Sequence, residues 1–328
     1  MDLVTGGSGF IGSHLVDALV AQGRSVRVVD NLAVGRLANL QQHEGNPAVA
    51  FFHADVSDAP RMLELTEGVD RIFHLAGLAD IVPSVENPTA YFRANVTGTL
   101  AVLEAARAHG VKRLVYTASS SCYGIPDQYP TPETAPADPR YPYALTKYLG
   151  EQLVIHWAKL YSLPAVAVRF FNVYGPRART SGTYGAVFGV FLAQLRAGKP
   201  LTVVGDGTQS RDFTYVDDAV SGLLAVAESP YSGESFNLGS GQPVSVNRLV
   251  ELLGVRETVP LPKRPGEPDI THADISKVRR LIGWSPRVGI EEGVGHMLEH
   301  LDYWRDAPVW TPDSIEAATE AWFKHLKS

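Results

Sequence analysis

The segment Val4-Thr5-Gly6-Gly7-Ser8-Gly9-Phe10-Ile11-Gly12 joins a short apolar strand to the start of a helical pattern. Its glycines follow the spacing Gly6-x-x-Gly9-x-x-Gly12. Gly6 permits a tight turn, Gly9 lets the backbone approach a pyrophosphate, and Gly12 permits close packing of the helix. The first turn of that helix offers backbone N–H groups to the anion. Because a plain strand-to-helix turn does not need three glycines at this spacing, the segment predicts a dinucleotide site.

Short apolar runs alternate with helical stretches through the first half of the chain. The apolar runs cover residues 3–4, 25–30, 50–53, 71–75, 114–117 and 165–171, and the helical stretches cover residues 11–22, 88–109 and 143–161. This alternation is typical of a parallel sheet whose strands are joined by right-handed helical crossovers. We therefore predict an α/β fold with a doubly wound parallel sheet, the Rossmann arrangement.

The pattern changes after Phe171, where loops rich in Gly, Pro and Arg precede a helix at 187–196 and a strand at 201–204. We expect a smaller mixed α/β lobe there. A helix at 215–227 and a strand at 235–238 indicate a return to the first sheet, so the domains are predicted to be discontinuous. The first domain spans 1–171 with 212–240, the smaller lobe spans 172–211 with 241–300, and a C-terminal helical extension spans 301–328.

In the C-terminal extension, Thr311 is predicted to cap a helix whose first residue is Pro312. Ile315, Ala318 and Trp322 lie on one face of that helix, together with Leu326. We expect the helix to pack on its own subunit rather than to bind a partner.

The composition excludes several classes of function. The chain has 328 residues, of which 45% are hydrophobic and 20% charged, and its formal charge of −6 offers no basic surface for nucleic acid. One cysteine, Cys122, and ten histidines without ligand spacing predict no metal site. No run approaches the roughly 20 apolar residues of a membrane span, so we expect a cytoplasmic protein with no membrane segment.

Asp30 stands at the end of the second apolar run, where a carboxylate accepts hydrogen bonds from both ribose hydroxyls of an adenosine. The same charge repels a 2′-phosphate, and no arginine directly follows Asp30, although Arg36 lies nearby. The predicted cofactor is therefore NAD rather than NADP. Asp55 and Val56 follow the next run, and two interpretations of them stay open: a cap of the strand end, or the edge of the adenine pocket.

Tyr143 and Lys147 are four residues apart in a helical pattern, which puts both side chains on one face. A base must take a hydroxyl proton while hydride leaves the same carbon, yet a tyrosine with a pKa near 10 is a poor base at neutral pH. Lys147 is expected to stabilise the phenolate and to lower that pKa. Ser119, at the end of a preceding strand, is expected to hydrogen-bond the reacting oxygen.

Residues 1 to about 300 carry an ordered series of further motifs. They are TGGSGFIGSHL at 5–15, DNL at 30–32, HLAG at 74–77, Asn95, SSSCYG at 119–124, YALTK at 143–147, RFFNVYGPR at 169–177, GDGTQSRDFTYVDD at 205–218 and RPGEPD at 264–269. This series resembles the extended short-chain dehydrogenases/reductases of the nucleotide-sugar epimerase and dehydratase family. The resemblance implies the family fold, bound NAD, and Ser119, Tyr143 and Lys147 as the catalytic residues.

The resemblance also implies two sets of binding residues. The cofactor set is Gly6, Gly9, Phe10, Ile11, Gly12, Asp30, Asn31, Asp55, Val56, Leu75, Ala76, Gly77, Asn95, Tyr143 and Lys147. The substrate set is Ser119, Ser120, Ser121, Asn172, Arg211, Arg264, Glu267 and Thr271. In that set Asn172, Arg211 and Arg264 match positions that hold the nucleotide diphosphate, Glu267 matches an acidic position near its ribose, and Thr271 matches a position that sets the width of the sugar pocket. Arg177 and Arg179 are further candidates, because guanidinium binds phosphate bidentately.

The residues after Ser119 bear on the type of reaction. Dehydratases of the family place an acidic pair directly after that position, and decarboxylases carry a glutamate at the position of Ser121, whereas this chain has Ser120 and Ser121. The predicted function is therefore 4-epimerisation of a nucleotide sugar, UDP-linked as the resemblance implies, through a transient 4-keto sugar. A 4,6-dehydratase, another oxidoreductase that releases its ketone, and a sensor without chemistry stay as alternatives.

The resemblance further implies a homodimer in which the helices at 88–109 and 143–161 form a four-helix bundle with their mates. Both helices carry apolar residues on more than one stripe, namely Leu100, Val102, Leu103, Leu149 and Leu153. We expect these residues to face the partner.

Overall fold

The computed structural model describes residues 1–178 and 186–326. Its strands are β1 Asp2–Thr5, β2 Val26–Asp30, β3 Val49–His53, β4 Arg71–His74, β5 Arg113–Ser119, β6 Ala165–Phe170, β7 Val173–Tyr174, β8 Leu201–Val204, β9 Ser210–Asp212, β10 Thr214–Tyr215, β11 Ser235–Leu238, β12 Pro243–Ser245 and β13 Thr258–Leu261. Its helices are α1 Phe10–Ala21, α2 Ala59–Thr66, α3 Ile81–Glu86, α4 Pro88–Phe92, α5 Gly98–Ala108, α6 Pro142–Tyr161, α7 Val187–Arg196, α8 Val216–Glu228, α9 Val246–Leu252, α10 Ser276–Ile282, α11 Ile290–Glu299 and α12 Pro312–His325.

Seven strands form one parallel sheet in the order β11-β6-β5-β4-β1-β2-β3. The chain begins in the middle of the sheet with β1, continues outward through β2 and β3, and then crosses to the other side with β4. The strand order therefore reverses between β1 and β4, which opens a crevice at the carboxyl ends of the strands. The predicted doubly wound α/β fold is confirmed.

Helices cover both faces of the sheet, so successive side chains along each strand pack into two different hydrophobic cores. On one face Leu15 and Leu19 of α1 and Leu223 of α8 pack against the strands. On the other face Leu103 of α5 and Val154 of α6 do so. Burial on both faces explains why the strands are continuous apolar runs rather than alternating ones.

The predicted strands and helices of the first half agree with the structure to within two residues, with one difference. The helical stretch at 88–109 consists of α4, a π-helical turn over Arg93–Thr97, and α5. Such turns are rare and often occur at functional sites. This one carries Asn95, whose side chain is buried.

In its described residues the smaller lobe contains three two-stranded sheets, in which β7 pairs with β10, β9 with β12, and β8 with β13. Phe188, Phe191 and Phe213 contribute to its separate hydrophobic core. The strand β9 runs across the expected domain boundary between residues 211 and 212, and β7 pairs with β10 although the two were expected in different domains. The domain division itself stays a prediction.

The C-terminal extension packs against the rest of the chain. The Thr311 hydroxyl accepts a hydrogen bond from the Ser314 N–H, and the Ser314 hydroxyl accepts one from the Thr311 N–H, so α12 begins with a complete capping box. Ile315 and Trp322 are buried, and α12 contacts α3. The expectation that this helix packs on its own subunit is confirmed.

Two absences concern membranes and metals. Within residues 1–178 and 186–326, no helix is both long and apolar enough to cross a bilayer. The same residues contain no group of three or more histidine, cysteine, aspartate or glutamate side chains arranged to hold a metal ion.

Candidate active site

A cavity of about 940 Å³ lies at the carboxyl ends of the central strands, between the sheet and the smaller lobe. Cavities for small molecules and cofactors usually measure about 300–1,000 Å³, so this one has room for large ligands. The predicted site residues that line it are Gly6, Gly9, Phe10, Ile11, Gly12, Asp30, Asn31, Asp55, Val56, Leu75, Ala76, Gly77, Ser119, Ser120, Ser121, Tyr143, Lys147, Asn172, Arg211, Arg264, Glu267 and Thr271.

The glycine turn at the end of β1 has little room for side chains. Gly6 has a φ of +69°, and a Cβ there would lie 2.7 Å from the backbone nitrogen of Ala76. A Cβ at Gly12 would lie 2.2 Å from the carbonyl oxygen of Gly6. Gly9 precedes α1 in an extended conformation, and no side chain caps the helix. The first turn of α1 therefore faces the cavity as the sequence predicts, in the manner of a diphosphate site.

Asp30 lies at the end of β2 with only 7% of its surface exposed. Its carboxylate accepts hydrogen bonds from the N–H of Ser8 at 3.0 Å and of Leu32 at 2.8 Å. Burial raises its pKa, and these two hydrogen bonds oppose the rise. The guanidinium of Arg36 lies over the ring of Tyr303, 5.0 Å from its centroid, and hydrogen-bonds its hydroxyl. This arginine is thus engaged with the C-terminal extension.

Two observations bear on the interpretations of Asp55 and Val56 that the sequence left open. The Asp55 carboxylate accepts hydrogen bonds from the N–H of Ser57 at 2.9 Å and from its hydroxyl at 2.8 Å, as a local cap does. Both residues also line the cavity. A local cap and a position at the cavity edge are therefore compatible.

Asn95 is the one predicted cofactor residue that does not line the cavity. Its amide nitrogen donates to the carbonyl of Leu78 and to the hydroxyl of Thr146, both at 3.0 Å. Its amide oxygen accepts from the N–H of Leu78 at 2.8 Å. Asn95 thus ties the loop after β4 to α6, and its expected contact with the cofactor stays a prediction.

Ser119 and Tyr143 meet at the cavity from β5 and α6. The Ser119 hydroxyl oxygen accepts hydrogen bonds from the N–H of Ser121 at 3.2 Å and from its hydroxyl at 2.9 Å. Burial raises the pKa of Tyr143, and hydrogen bonds with Ser119 and Ser121 oppose that rise. The charge of Asp80, a residue that sequence reasoning missed, raises it further.

Lys147 is 6% exposed and lies one helical turn after Tyr143. Burial lowers the pKa of Lys147 to about 7, against the opposing charge of Glu151. Its ammonium lies 4.5 Å from the ring centroid of Tyr116. In the chain alone burial is the largest effect on the pKa of the Tyr143 phenol, and the expected lowering of that pKa by Lys147 stays a prediction.

Two arginines and a glutamate form a cluster where β9 meets the loop after β13. Arg211 donates to the Glu267 carboxylate at 2.8 Å, and the guanidinium of Arg264 lies 3.8 Å from the other oxygen of that carboxylate. Both arginine side chains are largely buried, with 11% and 12% exposed. Glu267 thus holds two guanidinium groups at the cavity, an arrangement suited to a diphosphate.

Thr271 and Asn172 are coupled in the same wall. The Thr271 hydroxyl donates to the amide oxygen of Asn172 at 2.9 Å and accepts from the N–H of Asp212 at 3.0 Å. Arg177, in contrast, forms an ion pair with Asp17 at 2.7 Å and does not line the cavity. Arg179 lies outside the described residues.

Sequence reasoning also missed two aromatic residues that line the cavity. Tyr141 stands two positions before Tyr143, and its ring stacks on that of Tyr143 with centroids 6.2 Å apart and planes 14° apart. Trp322 comes from α12. The apolar face of α12 was visible in the sequence, but the sequence does not say which surface a C-terminal helix covers.

Comparison with known proteins agrees with this geometry. The model of the NAD dependent epimerase/dehydratase family matches residues 3–239. A UDP-glucose 4-epimerase of Mycolicibacterium smegmatis is 37% identical over 304 residues, which are 90% of this chain and 97% of that protein. Similar solved structures include UDP-glucose 4-epimerase with UDP-glucose from Thermotoga maritima, with a TM-score of 0.86 and 35% identity, and UDP-glucuronic acid 4-epimerase from Bacillus cereus with UDP-glucuronic acid and NAD, with a TM-score of 0.85 and 32% identity. Each match covers 93% of this chain and 99% of the other.

Proposed function

The chain belongs to the NAD dependent epimerase/dehydratase family, and we propose that it is a 4-epimerase of a UDP-linked sugar that uses NAD. One observation carries the proposal: a single cavity is lined by the glycine turn with Asp30, by Ser119, Tyr143 and Lys147, and by the arginine cluster. Along the sheet edge, β2 and β1 supply the dinucleotide residues and β5 supplies Ser119. The cavity thus combines a dinucleotide site, an acid–base pair and a diphosphate site.

Bound NAD would be held by the glycine turn and Asp30, and it would supply the acceptor and donor of a hydride for a sugar carbon. Tyr143 takes the proton of the hydroxyl on that carbon, and Ser119 donates a hydrogen bond to the same oxygen. A phenolate at Tyr143 favours the protonated form of Lys147, because opposite charges in a buried site stabilise each other. The same tyrosine returns the proton after the 4-keto sugar has rotated in the pocket and presents its opposite face to the cofactor.

The residues next to Ser119 favour epimerisation. A 4,6-dehydratase must move the C5 proton and expel the C6 oxygen, which requires an acid. Ser120 and Ser121 line the cavity at this point and have no acidic function near neutral pH. Epimerisation needs no acid beyond the phenol, so the residues present suffice for it.

A 4,6-dehydratase is the second candidate because of Asp80. This residue directly precedes α3, lines the cavity, and lies near enough to Tyr143 to raise its pKa. It is a carboxyl group of the kind that the second reaction needs. The two candidates give different products, so one experiment separates them.

The test is incubation of the pure protein with a panel of UDP-sugars, without added cofactor, followed by NMR. An epimerase equilibrates each accepted sugar with its C4 epimer. A dehydratase instead gives a 4-keto-6-deoxy sugar with a new methyl signal. If no UDP-sugar changes although the protein binds NAD, the proposal fails.

Asp30→Ala is expected to weaken NAD binding by about 10- to 100-fold, because a hydrogen bond to a charged group contributes about 1.5–3 kcal/mol. The measurement is calorimetric titration of the cofactor-free protein with NAD. The matched control is Asp58→Ala, which removes a carboxylate that accepts from the N–H of Arg61 away from the cavity. Equal NAD affinity in the Asp30 variant and the wild type would contradict the assigned role.

The homodimer and the cytoplasmic location stay predictions. Val102 and Leu103, which we expected to face a partner, are fully buried in the core of their own subunit. Phe92, Leu100 and Leu145 are exposed on the same helices, and they form the apolar surface that a partner would cover. Sedimentation at micromolar protein concentration should give the mass of a dimer, and Leu100→Lys with Leu145→Lys should give a monomer.

The candidate substrates are UDP-glucose and UDP-galactose, UDP-N-acetylhexosamines and UDP-uronic acids. We propose that Thr271 limits the width of the sugar pocket, since it lines the cavity and its hydroxyl is fixed by Asn172 and Asp212. We also propose Asn172, Arg211 and Arg264 as the diphosphate ligands. Glu267 positions the two arginines, in addition to its expected place near the ribose.

A further inference from the structure

The C-terminal helix α12 brings Trp322 to the cavity. The indole is 4% exposed, and its N–H donates to the carbonyl of Pro265 at 2.8 Å. The guanidinium of Arg264 lies over its ring, 5.5 Å from the centroid, and the ring of Tyr141 lies 6.4 Å from it. Trp322 therefore contacts the loop after β13 through Arg264 and Pro265, and it also contacts the start of α6 through Tyr141.

The two neighbours of Trp322 belong to the two parts of the proposed substrate site. Arg264 faces the Glu267 carboxylate, which also accepts from Arg211. Tyr141 stacks on Tyr143, and burial raises its pKa against a hydrogen bond with the side chain of Ser121. One side chain from the C-terminal extension thus supports both the arginine cluster and the aromatic neighbour of the proposed base.

Other residues of the C-terminal extension also pack at the cavity and fix the position of Trp322 there. The helix packs on α3, which directly follows Asp80 of the cavity lining. Pro308 and Trp310, which precede α12, line the cavity as well. The extension therefore forms part of the cavity wall rather than a separate appendage.

We propose that Trp322 is a positioning residue that prepares the cavity for the nucleotide diphosphate, an inference that rests on the proposed function. An indole ring is the best aromatic partner of a cation, and it holds the planar guanidinium of Arg264 in one orientation. An arginine that is already oriented loses less conformational freedom when a diphosphate binds. Trp322 acts on UDP binding through Arg264, and on the reacting end through Tyr141.

The experiment is calorimetric titration of the NAD-loaded protein with UDP, together with measurement of NAD content and Tm. Trp322→Leu is expected to weaken UDP binding about tenfold, the range of a desolvated cation–π contact. Trp322→Phe keeps an aromatic ring and should stay within about threefold of the wild type. The matched control is Phe323→Leu, since Phe323 is the residue of α12 next to Trp322 and is 43% exposed. NAD content should not change in any of the three, whereas Trp322→Leu should lower Tm because it leaves a cavity at a buried site.

The outcomes separate this inference from the proposed function. If the wild type binds no UDP, the proposed function fails. If the wild type binds UDP and Trp322→Leu binds it equally well, or if NAD content falls together with UDP affinity, the positioning role is wrong. If Trp322→Leu does not fold, tryptophan fluorescence decides: Trp322→Phe should lose most of the UDP-dependent signal that Trp157→Phe retains, and an unchanged signal overturns the inference.

Discussion

Tyr143→Phe is expected to lower kcat for interconversion of the UDP-sugar by roughly 10²–10⁴-fold, the usual contribution of a positioned acid–base group. The ring of phenylalanine preserves the stack with Tyr141, and the lost hydroxyl removes the group that takes the proton. Binding of NAD should stay nearly unchanged, because the glycine turn and Asp30 are untouched. The measurement is the epimerisation rate at saturating substrate, with NAD content determined in the same preparation.

Tyr161→Phe is the control for this substitution. Tyr161 lies at the end of the same helix, is 46% exposed, and does not line the cavity. The Tyr161→Phe variant should epimerise the UDP-sugar at the wild-type rate. Near-native turnover of the Tyr143 variant would show that Tyr143 is not the base, whatever the behaviour of the control.

Arg169→Met is expected to destabilise the protein by about 3–5 kcal/mol, because it leaves the buried charge of Glu151 without its partner. Arg169 donates to the two carboxylate oxygens of Glu151 at 2.9 and 2.6 Å, and their side chains are 8% and 0% exposed. Such a loss is a large part of the total stability of a folded domain. The measurement is the free energy of unfolding from urea titration.

Two further variants separate a buried pair from an exposed one. Arg107→Met removes the partner of Glu104 in a pair whose side chains are 46% and 41% exposed, and it should cost at most about 1 kcal/mol. Arg169→Met combined with Glu151→Leu should recover much of the loss, since no buried charge stays unpaired. An Arg169 variant as stable as the Arg107 variant would contradict this account.

Much of the fold could be predicted because its signals are local. Glycine spacing, continuous apolar runs and helix caps each depend on a few neighbouring residues, so the sheet and most helix bounds agree with the structure. The π-helical turn around Asn95 has no comparable local signal. Val102 and Leu103 were misassigned because a helix between a sheet and a second helix is apolar on more than one face without any partner subunit.

The position of a site residue was predictable where one residue type is tied to one step of chemistry: Asp30, Tyr143 and Lys147 line the cavity, and their roles stay proposals. It was not predictable where the tertiary fold sets the environment. Burial raises the pKa of Tyr143 and lowers that of Lys147, and a spacing of four residues does not reveal burial. Trp322 is distant in sequence from every other cavity residue of the sheet, so only the folded chain brings it to Arg264.

The central claim is that the hydride removed from C4 returns to C4 of the same sugar. The most direct measurement is incubation with a UDP-sugar that carries deuterium at C4, in ordinary water and without added NAD, followed by NMR of both epimers. The account predicts that the product epimer retains deuterium at C4 and that no net NADH accumulates at 340 nm. Loss of the deuterium to solvent, or NADH formed in proportion to product, would contradict it.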